Sequence, residues 1–146
     1  MIREFRGRYV FLSNFYPARI KYESVWYPTA EHAYQAAKSY DHFTREWVAT
    51  WPTPGQAKKA GRTIKIDGDW EARRVDVMSD ILALKFVRDG QLARMLDDTG
   101  SEWLQEGNTW GDTFWGVDLA TGVGDNMLGQ LLMVRRELNR TPMKES

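Results

Sequence analysis

From about Asp69 to Arg88 the chain repeats apolar residues at the spacing of one helical face: Val75, Met78, Ile81, Leu82 and Phe86. So long a run in register predicts a helix lying against a core, closed by Gly90. Much of the remaining chain also reads as helix. Pro28-Thr29 opens one to about Ser39, with Thr29 as cap and Ala33, Tyr34 and Ala37 on the buried face. Thr44 to Trp51 forms a second, stopped by Pro52, and Thr53-Pro54 starts a third through Ala60, proline standing where a helix tolerates it. Leu92, Met95 and Leu96 mark a short helix before Gly100. Asp125 or Asn126 caps a last one carrying Leu128, Leu131, Leu132, Arg135 and Leu138 before Pro142. Strands are expected only near the start, at Tyr9 to Phe15 and Arg19 to Tyr27, which are aromatic and β-branched and are separated by the turn formers Ser13-Asn14 and Tyr16-Pro17. The expected fold is α+β, mainly α. It is one compact helical domain over residues 1–146, with its core over about 8–140, a small N-terminal antiparallel β element and a frayed tail after Asn139.

Composition narrows the chemistry. The chain has 146 residues, the size of one ordinary domain, and 42% of them are hydrophobic. It has no cysteine, so thiolate chemistry and a disulfide framework are excluded. The two histidines, His32 and His42, do not have metal-ligand spacing, and neither a metal nor a cofactor is expected. Twenty basic and twenty acidic residues cancel, so no global field draws the protein to duplex nucleic acid or to an anionic membrane. The start, Met1-Ile2-Arg3-Glu4-Phe5-Arg6, lacks the apolar stretch of a signal peptide, and no run is long enough to cross a bilayer. The expectation is a cytoplasmic protein without a membrane partner.

Candidate site residues gather where helix and strand periodicity fail. The run Asn108-Thr109-Trp110-Gly111-Asp112-Thr113-Phe114-Trp115-Gly116 is too rich in Gly, Asn, Asp and Thr to hold a helix or central strand, yet it carries two of the seven tryptophans beside a carboxylate. Flat rings flanking an acid suit a site that grips a planar group and acts on the bond next to it. Asp112 reads either as that acid or as an Asx-turn residue. Glu31 reads either as a carboxylate fixed in direction by its helix or as an acid favoured in a first turn by the macrodipole. Trp70 and Trp115 are stacking candidates or core rings. Lys38, Arg62 and Lys85 are phosphate contacts or solvated surface, with Gly61-Arg62 in a turn contributing to an anion pocket. Gly122-Val123-Gly124-Asp125-Asn126 lacks the preceding strand and the full glycine pattern of a dinucleotide-binding loop.

Read as strings, Phe11-Leu12-Ser13-Asn14-Phe15 and Tyr27-Pro28-Thr29-Ala30-Glu31-His32-Ala33-Tyr34-Gln35-Ala36-Ala37-Lys38 resemble the NADAR (YbiA-like) family. Ala60-Gly61-Arg62, Asp69-Trp70 with Met78, Leu84-Lys85-Phe86, Trp110-Gly111-Asp112 through Trp115-Gly116, and Asn126-Met127-Leu128-Gly129 to Arg135 continue the likeness in order, from about Phe11 to Leu138. The resemblance implies an N-glycosidase that hydrolyses a bond between a ribose carbon and nitrogen. Two substrate types come with it: phosphorylated ribosylaminopyrimidine intermediates of riboflavin synthesis, and ADP-ribose attached to guanine in nucleic acid. It places the functional positions at Glu31, Trp70, Asp112 and Trp115, with Asn14 and Phe15 in the pocket wall. Trp110 and Asn126, lying in its matching blocks, join the substrate-binding set. Val117-Asp118-Leu119-Ala120 depart from the Gly- and Lys-rich loop of many relatives, which bears on phosphate contacts from this loop and not on the carboxylates. Two other classes fit the same residues: a non-catalytic ADP-ribose or nucleotide-binding module, and a helical interaction domain whose tryptophans are all core.

Overall fold

Local capping chemistry decides where three helices of the segment Asn14–Lys85 begin. The computed structural model describes residues 1–143. Among them the chain gathers into two compact units, Asn14–Lys85 and Met1–Ser13 together with Phe86 onward. Of the tail expected to fray after Asn139, residues 144–146 lie outside the described residues; the last helix runs on to Arg140.

In the Asn14–Lys85 unit, β1 (Pro17–Tyr22) and β2 (Val25–Thr29) form an antiparallel hairpin in the register Ile20 with Tyr27, Lys21 with Trp26 and Tyr22 with Val25. Alternation does the sorting: Ile20, Tyr22, Val25 and Tyr27 are buried, whereas Lys21 and Trp26 face solvent and the Arg19 guanidinium lies 4.6 Å from the Trp26 ring centre. Thr29 then caps α1 (Ala30–Ala36), its hydroxyl accepting from His32 N–H at 3.2 Å. Asp41 caps α2 (His42–Ala49) by accepting from Thr44 N–H. Thr53 and Gln56 close a reciprocal capping box at the head of α3 (Pro54–Gly61), with Pro54 in the first turn. The long helix α4 (Trp70–Lys85) packs against α1 and β1 and buries Val77, Met78, Ile81 and Leu82.

Several expectations fail in informative ways. Tyr9 to Phe15 is no strand: Gly7–Leu12 forms a turn of 3-10 helix, and the stretch expected as one strand at Arg19 to Tyr27 supplies the core of both strands. The reversal runs through Glu23 and Ser24, both in the left-handed region at φ 46° and 74°, where neither residue type advertises a turn. Gly90 does not close the long helix. α4 ends at Lys85, Asp89 takes the left-handed conformation, and Gly90 is the N-cap of the next helix. Within α4, Val75 is half-buried and Val77 takes the core position expected of it.

In the other unit, Ile2 bridges Leu104 in parallel: Ile2 N–H donates to Trp103 O, and Gln105 N–H donates to Ile2 O, both at 2.9 Å. The N-terminal amine pairs with Glu102. Helix α5 (Gln91–Asp97) packs against α6 (Met127–Arg140), and Ile2, Phe5, Phe86, Leu96, Leu104, Leu128 and Leu132 are buried. Between these helices, β3 (Gly107–Asn108) and β4 (Val117–Asp118) form a two-residue parallel pair, so β structure extends beyond the N-terminal region. Neither Asp125 nor Asn126 caps α6 with its side chain. Asn126 sits in the left-handed region at φ 52°, and the carbonyls of Phe114 and Trp115 accept from Met127 and Leu128 N–H at 3.0 Å, so a loop backbone replaces the side-chain cap. The protein is mainly helical with a small antiparallel sheet toward its N-terminal end, as expected.

Candidate active site

Helix α1 is buried at every position, which is unusual for a helix carrying a glutamate and a glutamine. Glu31 is 8% exposed. Its backbone N–H donates to Asn14 O at 3.0 Å, and one turn on, Gln35 Nε2 donates to Glu31 Oε1 at 2.8 Å. Asn14 thus abuts the start of α1; its amide nitrogen reaches Met78 Sδ at 3.5 Å, and its buried Oδ1 has no hydrogen-bond partner. Lys38 follows just beyond the helix, half-buried and 5.9 Å from the Tyr34 ring centre. Burial pushes the Lys38 ammonium down from its ordinary value, Glu31 draws it back up, and Arg62 and Lys58 push it down again. Glu31 and Lys38 therefore form one electrostatic group, with Arg62, the exposed C-cap of α3, at its edge.

The other expected residues of this unit differ in burial and in what they touch. Trp70, the first residue of α4, is 4% exposed; its ring lies 5.2 Å from Tyr34 at 57°, and the Arg73 guanidinium is 5.3 Å from its centre. Little of the indole reaches solvent. Lys85 is buried, with its ammonium 5.9 Å from the Tyr16 ring centre, whereas Phe15 is exposed. Gln35 and Tyr34 were absent from the expected set. The signal for Gln35 was the Glu31 to Gln35 spacing of i to i+4, which brings two side chains together on one helix face.

In the other unit, the aromatic loop is a set of backbone turns tied by two polar side chains. Asn108 is 1% exposed; its Oδ1 accepts from Trp110 and Asp112 N–H, and its Nδ2 donates to Asp112 O at 2.8 Å and Val117 O at 3.3 Å. Asp112 Oδ1 accepts from Phe114 and Trp115 N–H at 3.1 and 3.0 Å, an Asx-type turn that sets where Trp115 leaves the backbone. The Trp115 ring meets Phe114 edge to face at 4.9 Å, and Trp110 is 60% exposed. Asn126 is buried: its Oδ1 accepts from Glu106 N–H and its Nδ2 donates to Leu104 O, both at 2.9 Å. At Gly124, φ is 155° and a side chain would overlap Gly116 O, so the approach of the loop to α6 requires glycine. Asn108 was missed because its role lies in four backbone contacts that no spacing rule announces.

Among the described residues, no group of three or more His, Asp and Glu side chains is arranged to hold a metal ion, and no helix is long and apolar enough to cross a membrane.

Comparison with known proteins follows the same residues. A protein from Vibrio vulnificus named a riboflavin biosynthesis protein is 39% identical over 129 residues, which cover 87% of this chain and 35% of that protein; the chain thus spans about a third of that relative. A protein from Escherichia coli named N-glycosidase YbiA is 36% identical over 127 residues, covering 86% of this chain and 78% of that one. A protein named an N-glycosidase from Nostoc punctiforme is 35% identical over 130 residues, covering 86% and 82%. The NMR structure of the E. coli protein YbiA superposes with a TM-score of 0.81 at 33% identity, covering 94% of this chain and 84% of that one. The NADAR domain pattern matches residues 3–139, nearly the whole chain. With that match, that likeness of sequence and that shared fold, the chain belongs to the NADAR domain family.

Proposed function

We propose that this protein is an N-glycosidase hydrolysing a ribosyl C–N bond, with Glu31 as its reacting carboxylate. The observation that carries the reading is the state of Glu31: a carboxylate 8% exposed, held by an amide from the next helical turn and electrostatically joined to Lys38. An acid with no reacting role rarely sits in so dry a place.

Cleavage develops positive charge at the anomeric carbon while the bond's electron pair leaves with nitrogen. Glu31 stabilises that cation and takes a proton from the attacking water. The water oxygen bonds to the anomeric carbon, the C–N bond breaks with its electron pair on nitrogen, and the departing nitrogen takes a proton from Asp112 acting as the acid, or the one Glu31 has just received from water. Asp112 serves as the second carboxylate, as acid or base or as the holder of a ribose hydroxyl. Its second oxygen, Oδ2, is the atom for that role, since Oδ1 is engaged by the loop backbone. Trp110 and Trp115 bind the planar base or pyrimidine, the buried Trp70 supports the binding wall through its packing on Tyr34, Asn14 and Phe15 line the pocket, and Asn126 contributes through the loop it ties. Lys38 and Arg62 meet phosphate, whereas the buried Lys85 contributes only the field of its charge.

The substrate class favoured first is a phosphorylated ribosylaminopyrimidine, since a relative carries the name of a riboflavin biosynthesis protein. ADP-ribose on guanine of nucleic acid is the second. The 60% exposure of Trp110 favours it, since an indole at the surface is the kind of side chain on which a nucleic-acid base stacks. The cytoplasm, without membrane or metal partners, is the setting that goes with either.

The test is Glu31→Gln, which keeps the size and removes the charge. Turnover of the ribosylaminopyrimidine phosphate and of an ADP-ribosylated oligonucleotide should fall by about 10²-fold or more, with binding retained. Near wild-type release from the substrate that the parent enzyme cleaves would overturn the assignment. A parent protein that binds both compounds and cleaves neither would make it a binding module.

A further inference from the structure

We propose that Gly61 and Gln35 form a positioning relay for Glu31: the missing side chain at position 61 leaves room for the Gln35 amide, and that amide fixes the direction of the Glu31 carboxylate. The inference rests on the reading of Glu31 as the reacting group and adds two residues to it, neither of which touches substrate.

The geometry is local to α1 and α3, which pack against each other. Gln35 is 4% exposed and donates from Nε2 to Glu31 Oε1 at 2.8 Å. A Cβ built on Gly61 would overlap Gln35 Oε1 outright and stand 2.7 Å from its Cδ and 3.1 Å from its Cβ. The three nearest atoms all belong to this one side chain, and none is backbone. A methyl group at position 61 is therefore accommodated by moving the Gln35 amide, whose departure breaks the bond to Glu31. Gly61 has no other conformational demand, since its φ lies in the ordinary helical range as part of α3. Nor does another group anchor the amide: Gln35 Oε1 is buried without a hydrogen-bond partner, so orientation comes from Glu31 on one side and the missing Cβ on the other. Turning the amide over would aim an oxygen at a carboxylate, which electrostatics forbids.

Two consequences separate this role from plain packing. An amide donating to a carboxylate favours its charged form, so loss of the donor raises the carboxyl pKa. A wandering carboxylate also lowers kcat more than it raises KM.

The experiment compares the full chain with Q35M, G61A and the double variant. The Glu31 carboxyl is titrated by 13C NMR without substrate, thermal stability is recorded, and kcat and KM are measured on the ribosylaminopyrimidine phosphate. Q35M and G61A should each raise the Glu31 pKa by about one unit. G61A should move the acid limb of the kcat profile upward by the same amount and lower kcat by about tenfold, with KM within about twofold. The double variant should be no worse than Q35M alone. A Glu31 titration unchanged in Q35M overturns the relay, and so do additive losses in the double variant. Should G61A fail to fold, Gly61 is a packing residue and its half of the proposal falls, while Q35M still decides the other half. The titration needs no turnover, so a relay that titrates as expected in a chain whose Glu31→Gln variant still hydrolyses substrate separates failure of the catalytic reading from failure of this one.

Discussion

His32 shows how a single buried side chain links the site to pH. It is fully buried one position after Glu31, and both ring nitrogens are committed: Nε2–H donates to Trp51 O at 2.8 Å, and Nδ1 accepts from the Thr29 hydroxyl at 2.7 Å. One donor and one acceptor describe a neutral imidazole, and burial holds its pKa below the ordinary 6.5 against the opposing pull of the Trp51 carbonyl. In the unfolded chain His32 takes up a proton near pH 6.5, and in the folded chain it does so only at lower pH. Between those values the unfolded state binds more protons, so this contribution to stability is complete above about 6.5 and is lost as pH falls. The melting temperature should decline as pH drops from 7 through 6, and His32→Gln should flatten that slope; parallel slopes in the two proteins would refute it. Glu31 could be chosen from the sequence because its motif string was distinctive. Gln35 and Asn108 could not, since one matters through its place against α3 and the other through backbone groups up to nine residues away.

Three helix starts followed their local chemistry, and the strands did not. Thr29, Asp41 and Thr53 cap through side chains within three residues, so the signal and the structure occupy the same few positions. Aromatic runs carry no such instruction: Tyr9 to Leu12 lies in a 3-10 turn, whereas Trp26 and Tyr27 lie in a strand. The hairpin turn at Glu23-Ser24 was hidden because both residues hold positive φ without being glycine or asparagine. That leaves removable strain. Ser24→Gly should stabilise the protein by about 0.5 to 1 kcal/mol, read as a raised midpoint in urea at an unchanged slope. An unchanged or lowered midpoint would mean that Ser24 makes a compensating contact. At α6 the local rule failed for a physical reason, since loop carbonyls from Phe114 and Trp115 are in place before any side-chain cap is needed.

Charge balance belongs to the chain as a whole, and here twenty positive and twenty negative residues cancel. An extended phosphate backbone therefore finds no broad attraction, and contact with a modified nucleic acid is confined to a few groups such as Lys38 and Arg62. The salt dependence of binding to an ADP-ribosylated duplex should correspond to about two phosphates, a loss of about tenfold between 50 and 200 mM salt. A slope several times steeper would reveal a phosphate-tracking face. Composition and helical periodicity sufficed for the mainly helical class, because both are averages over many residues. The path of the backbone is another matter, since Ile2 meets Trp103 and Gln105 only once the chain has doubled back. A ribosome must have translated as far as Gln105 before the opening residues can be seated. Until then Ile2 and Phe5, both apolar, lack the partners that bury them, which makes that segment the natural place for a chaperone to hold.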